Sequence, residues 1–139
     1  MDTQICLQIL EVWKKIKTAI ADFATEHDLT LQQIFTLYHL YNEDHILMGT
    51  LAKQLHCDAS NVTGIVDRLQ SAGLITRHEL PEDRRAKQLA ITAKGRALID
   101  SLIPRLPDAA ELSRLQGTEC SQLLGLLQKL TIMPKASTP

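Results

Sequence analysis

The segment LPEDRRAKQLAIT, residues 80–92, sets Asp83, Arg84 and Arg85 in a row, with Lys87 just behind and Arg77 just before. A guanidinium is always charged, and its planar fork of donors suits phosphate oxygens. Upstream lie Ser60, Asn61, Thr63, Gly64 and Arg68. These short polar side chains can both donate and accept hydrogen bonds, and the glycine permits close approach. Neither group pairs a nucleophile with a base. The chemistry they suit is non-covalent recognition of a polyanion, with duplex DNA as the expected partner. Asp83 cannot meet an anion favourably; the expectation is that it holds Arg84 by a charge-assisted bond, so that Arg85 points outward.

Other chemistries find little support. There is no Gly-rich phosphate loop, no nucleophile elbow and no paired His/Cys or carboxylate motif, so an enzyme is not expected. The three cysteines, Cys6, Cys57 and Cys120, form no C-x-x-C, and the five histidines are scattered, so neither metal nor cofactor is expected. Five aromatic residues are few for a single-strand binder that stacks bases. No apolar run approaches the roughly 20 residues of a membrane span. The N-terminus, MDTQICLQILEVWKK, runs from acid to base, the reverse of a secretory signal, so the expected location is cytoplasmic.

Net charge is −1, but it is unevenly spread. Residues 49–96 carry eight Lys/Arg against five acids, a local +3, and the remainder carries seven against eleven, a local −4. A basic middle between acidic ends fits a binding surface mounted on a separate scaffold.

The elements that must position these residues follow from periodicity. Ile5, Ile9, Val12, Ile16, Ile20 and Phe23 recur at helical steps and predict a long amphipathic helix over 3–27, with Lys14, Lys15 and Lys17 outward. Thr30 and Gln33 form a capping box for a second helix, to about Tyr41. Ile46–Met48 suggests a very short strand, and Thr50–Leu55 a short helix followed by a tight turn at His56–Cys57. Asp58 caps a helix over 59–72, with Val62, Ile65, Val66 and Leu69 inward and Gly73 as its stop. LITRHEL and AKQLAIT then read as the strands of a hairpin joined by PEDRR. Thr92 opens another long helix, which Pro104 and Pro107 should kink or end. A last helix, about Thr118–Leu130, carries Leu123, Leu124, Leu126, Leu127 and Leu130, and the tail MPKASTP reads as frayed.

Two helices around a tight turn, with Ala52, Val62 and Leu69 packed between them, make a helix-turn-helix, and the hairpin behind them makes it a winged helix. In such a unit the second helix enters the major groove of DNA. The fold class is therefore mainly α with a small β-hairpin wing: a winged helix over about 31–96, flanked by helices over about 3–27 and 93–131.

The run from LAKQL through VDRLQSAGLI, DRR and LAITAKG resembles the core of the MarR family of bacterial winged-helix repressors. The resemblance implies one MarR-like domain over 1–139, in a homodimer whose N- and C-terminal helices form the interface and whose winged helices read a palindromic operator in the bacterial cytoplasm. It places the recognition positions on Ser60, Asn61, Thr63, Gly64 and Arg68, and the wing motif on Asp83, Arg84 and Arg85. Two positions depart from the family pattern. His56 stands where glycine is usual, and Gly64 where a longer polar or basic residue is frequent.

Family members that sense peroxide do so through a cysteine early in the first helix, which makes Cys6 a candidate redox residue. Its aliphatic neighbours favour reading it instead as a small buried hydrophobe. Others release DNA on binding an aromatic, often phenolic, acid; Trp13, His39 and Arg77 are the candidate lining residues. The rival to a DNA-binding regulator is a winged helix used only for protein–protein assembly, which would keep the fold without a basic wing or polar recognition face.

Overall fold

The protein is described by a computed structural model over residues 1–131; the tail MPKASTP lies outside the described residues. The chain runs α1 (Asp2–Glu26), α2 (Leu31–Asn42), β1 (Ile46–Leu47), α3 (Met48–Gln54), α4 (Ala59–Ser71), β2 (Ile75–Glu79), β3 (Lys87–Ile91), α5 (Ala93–Leu102), α6 (Leu106–Ala109) and α7 (Gly117–Thr131). Short 3-10 turns precede and follow α6. The antiparallel sheet has the order β1-β3-β2, with Ile46 opposite Leu89 and Ile75 opposite Ile91. This is the winged-helix architecture expected from the sequence.

Local chemistry sets most element ends. The Thr30–Gln33 capping box forms in both directions. Helix α3 starts at Met48 rather than Thr50, because the two-residue strand β1 passes straight into the helix. At the following turn His56 takes φ 51°, the left-handed conformation a glycine would adopt without strain. Gly73, at φ 73°, stops α4. Helix α5 ends at Leu102, and Pro104 lies in the first 3-10 turn, at an N-terminal position where its missing N–H costs nothing.

The core joins the C-terminal half of α1 (Ile20, Phe23, Ala24) to α2, α3, the inner face of α4, the sheet and α5. Gly95 is required at one crossing. A Cβ there would stand 2.3 Å from the Leu74 carbonyl oxygen and 2.7 Å from Ile91 Cγ1. The Thr92 hydroxyl caps α5 by accepting from Gly95 N–H at 3.1 Å, and it donates to the Gly73 carbonyl at 2.7 Å. The start of α5 is thereby fastened to the end of α4. On the other side Tyr41 donates to Asp100 at 2.6 Å, and Arg96 lies over the Tyr41 ring while pairing with Asp44.

The outer elements are different. The N-terminal half of α1 is exposed, and no residue of α7 is buried. Lys15 reaches Glu111 at 3.0 Å, and Arg105 reaches Glu26 at 2.9 Å, which tether α1 to the segment after α5 by exposed ion pairs.

Candidate nucleic-acid interface

Helix α4 turns Val62, Ile65, Val66 and Leu69 into the core, which leaves Ser60, Asn61, Thr63, Gly64 and Arg68 exposed. Its first turn is fixed by Asp58, whose carboxylate accepts from Asn61 N–H at 2.9 Å and from the Ser60 hydroxyl at 3.0 Å. Those bonds, the backbone one first, hold the Asp58 carboxyl below its usual range. The Thr63 hydroxyl donates to the Ala59 carbonyl at 2.8 Å. Ser60 and Thr63 thus spend their donors on their own helix and keep lone pairs for an outside donor. The Asn61 carboxamide makes no side-chain hydrogen bond among the described residues. It is the group on this face that can offer donor and acceptor to one base edge. Around Gly64, an added Cβ would meet nothing within 4 Å.

The wing tip is built from backbone bonds. Leu80 N–H donates to the Ala86 carbonyl at 3.3 Å, Asp83 N–H to Leu80 at 3.2 Å and Ala86 N–H to Asp83 at 3.1 Å. The Asp83 carboxylate accepts from the Arg85 backbone N–H at 2.9 Å. This corrects the expected Asp83–Arg84 ion pair. A short carboxylate reaches an amide two residues on within its own turn. Asp83 shapes the loop through the main chain and leaves both guanidinium groups outward.

The basic residues separate into two classes. Arg77 is paired with Asp67 of α4, is largely covered, and keeps its Nε buried with no hydrogen-bond partner among the described residues. Lys87 is paired with Glu79 across the hairpin at 2.5 Å. Their charges are compensated inside the winged helix. Arg68, Arg84 and Arg85 are exposed and make no ion pair among the described residues. Lys53, counted in the basic middle of the sequence but not among the candidate DNA contacts, is also exposed and shares a cleft with Arg85 and Lys87. A lone lysine on a short helix carries no signal by itself; the cleft exists only because β1 pairs with β3.

The remaining candidates lie elsewhere. Trp13 stacks on Phe35 of α2 at 5.9 Å and lines an open apolar groove of about 590 Å³ with Ile5, Ile9, Val12, Leu123 and Leu127. His39 is half-buried on α2; desolvation lowers its pKa against the opposing pull of Glu43, which favours the neutral imidazole. No described contact joins Trp13, His39 and Arg77 into one site. Cys6, read from the sequence as a buried hydrophobe, is exposed in the single chain. The apolar side of α1 is left exposed over its first turns among the described residues. Among the described residues no group of three or more His, Cys, Asp or Glu could hold a metal ion, and no helix is long and apolar enough to cross a membrane.

Comparison with known proteins gives a consistent result. A sequence model of the MarR family matches residues 29–87. The transcriptional repressor NicR of Pseudomonas putida is 33% identical over 109 residues, covering 77% of this chain and 69% of that protein. The organic hydroperoxide resistance transcriptional regulator of Bacillus subtilis is 22% identical over 130 residues, covering 94% of this chain and 88% of its own. Among solved structures, a transcriptional regulator from Thermotoga maritima superposes with a TM-score of 0.72 at 33% identity, over 91% of this chain and 92% of that one. With the wing, the recognition helix and these relatives in agreement, the chain belongs to the MarR family of winged-helix, DNA-binding transcriptional regulators.

Proposed function

We propose that two copies of this chain form a homodimeric repressor that binds a palindromic operator and releases it in response to a small effector. The observation that carries the DNA-binding part is the division of charge within the winged helix. Arg77 and Lys87 are neutralised by acids, whereas Arg68, Arg84 and Arg85 are exposed, with no ion pair among the described residues, around a face headed by Asn61. A winged helix kept only for protein assembly has no use for uncompensated cations at its wing tip. In this reading Asn61 reads bases in the major groove. The wing lies over the neighbouring minor groove, whose negative potential attracts arginine.

The dimer is supported by what the single chain leaves open. Leu124, Leu126 and Leu130 of α7 are 57%, 59% and 70% exposed, and Ile5 and Ile9 of α1 are 50% and 44% exposed. A partner covering both helices buries more than about 2,000 Å², the obligate class of interface. The effector we favour is an aromatic acid seated beside the stacked Trp13 and Phe35 rings, where α1 meets α2 of the winged helix. A neutral His39 is a poor anchor for its carboxylate.

The test is a gel-shift titration against fragments selected from the source genome, repeated on scrambled duplex and at several salt concentrations. A specific complex that weakens steeply with salt is expected; no binding even at low salt would leave only the assembly module.

A further inference from the structure

A cleft between α3 and the wing gathers basic side chains that the recognition face does not account for. It has a volume of about 370 Å³; Lys53 and Arg85 stand on its walls, and Leu47 and Met48 lie along it. Lys87, also lining it, is already held by Glu79. Asp83, two residues before Arg85, has its carboxylate turned to the Arg85 backbone N–H. Two cations from different elements thus share one recess with no acid among its lining residues, beside an apolar strip.

We infer that this cleft seats one sugar–phosphate unit of the DNA backbone, with the phosphate between Lys53 and Arg85 and the deoxyribose against Leu47 and Met48. The inference rests on the DNA-binding reading above and extends its contact surface to α3. The lining decides the class of occupant. A free phosphate needs charge alone and gains nothing from an exposed leucine and a half-buried methionine, whereas a nucleotide backbone presents an anion and an apolar sugar face together. Such a contact carries no base information; it fixes where the protein sits on the duplex. The seat also couples two elements. Arg85 belongs to the wing and Lys53 to the helix before the recognition helix, so one phosphate held by both sets the wing's distance from α4.

Because the contact ignores sequence, it can be tested without the operator. Wild type, Lys53→Gln, Lys53→Arg and Arg85→Ala are titrated against a mixed-sequence duplex over a range of salt. Asn61→Ala is the control for base reading on selected fragments. Lys53→Gln is expected to weaken binding about tenfold for a two-subunit complex and to lower the salt slope by about one per subunit, on every sequence alike. Lys53→Arg should keep both near wild type, and melting temperatures should not move. Free inorganic phosphate at equal ionic strength should compete no better than chloride; specific competition would make the cleft a small-anion site and overturn the inference. It also fails if Lys53→Gln leaves affinity and slope unchanged while Arg85→Ala lowers both, which would spare the DNA-binding reading. Wild-type protein that binds no duplex at low salt removes both.

Discussion

The winged helix closes one core together with the C-terminal half of α1 and with α5, whereas the first turns of α1 and all of α7 stay outside it. Within the winged helix Leu37, Leu51, Val62, Leu69 and Leu89 are all fully buried, and α4 shows a sharp division between a packed face and an exposed one. In α7 the leucines are as numerous, yet none is buried, and the first turns of α1 share that condition. Both regions follow the same periodic rules. The difference lies in where the complementary surface resides: for the winged helix it is elsewhere in the same chain. For α1 and α7 the apolar area goes uncovered unless a second chain supplies it, since exposed apolar patches of this kind mark association sites.

The largest expected effect comes from breaking the open region. Leu123→Glu with Leu127→Glu puts two charges into the groove beside α1, where burial without partners is costly. Size-exclusion chromatography with light scattering should show monomer or aggregate in place of dimer, and duplex binding should fall by about a hundredfold or more, since one half-site alone must then hold the protein. A double variant that still dimerises would move the interface elsewhere. The closed region breaks differently. Gly95→Ala forces a methyl against the Leu74 carbonyl, so thermal unfolding should show a loss of roughly 3 kcal/mol, the upper end for overpacking. An unchanged melting temperature would mean that the α5–β3 crossing is looser than drawn.

These two sites also show how much was readable beforehand. The helices, the capping box at Thr30, the stop at Gly73 and the hairpin follow from period, cap chemistry and turn residues, all local properties. Gly95 stood in the recognisable LAITAKG run, but its reason is a contact with Leu74 far along the chain, which no local pattern encodes. The same holds at the site. The exposed face of α4 was legible because Val62, Ile65, Val66 and Leu69 define its opposite. The pairing of Arg77 with Asp67 and of Lys87 with Glu79 was not, because it depends on hairpin register and helix–strand packing. Asp83 chose a backbone amide over Arg84 for a reason of reach, settled only by the loop conformation. Cys6 lies exposed on a helix whose first turns find no cover among the described residues, and no local pattern says which chain supplies that cover.

A smaller effect sharpens the comparison within the wing. Arg85→Ala should weaken binding across most sequences and lower the salt dependence by about one counterion per subunit. Replacing Glu79 and Lys87 together by glutamine removes a compensated pair and should leave the slope near wild type. If the two variants behave alike, the distinction between paired and unpaired cations has no bearing on DNA. The smallest effect is expected at Cys6. It is exposed in the single chain but has no hydrogen-bonding or ionic partner among the described residues to activate it. Mild organic peroxide should therefore change DNA affinity little, in wild type and Cys6→Ser alike. A large loss in wild type that the substitution abolishes would make this a redox sensor.

The central claim is that the open helices join two chains so that two recognition helices and two wings act on one duplex. It is tested most directly by the mass of the complex with an operator duplex recovered by genomic selection, measured by light scattering during size-exclusion chromatography. The account predicts two chains per duplex, with the free protein already dimeric at micromolar concentration. A complex of one chain per duplex, or a free protein that is monomeric under the same conditions, would contradict it.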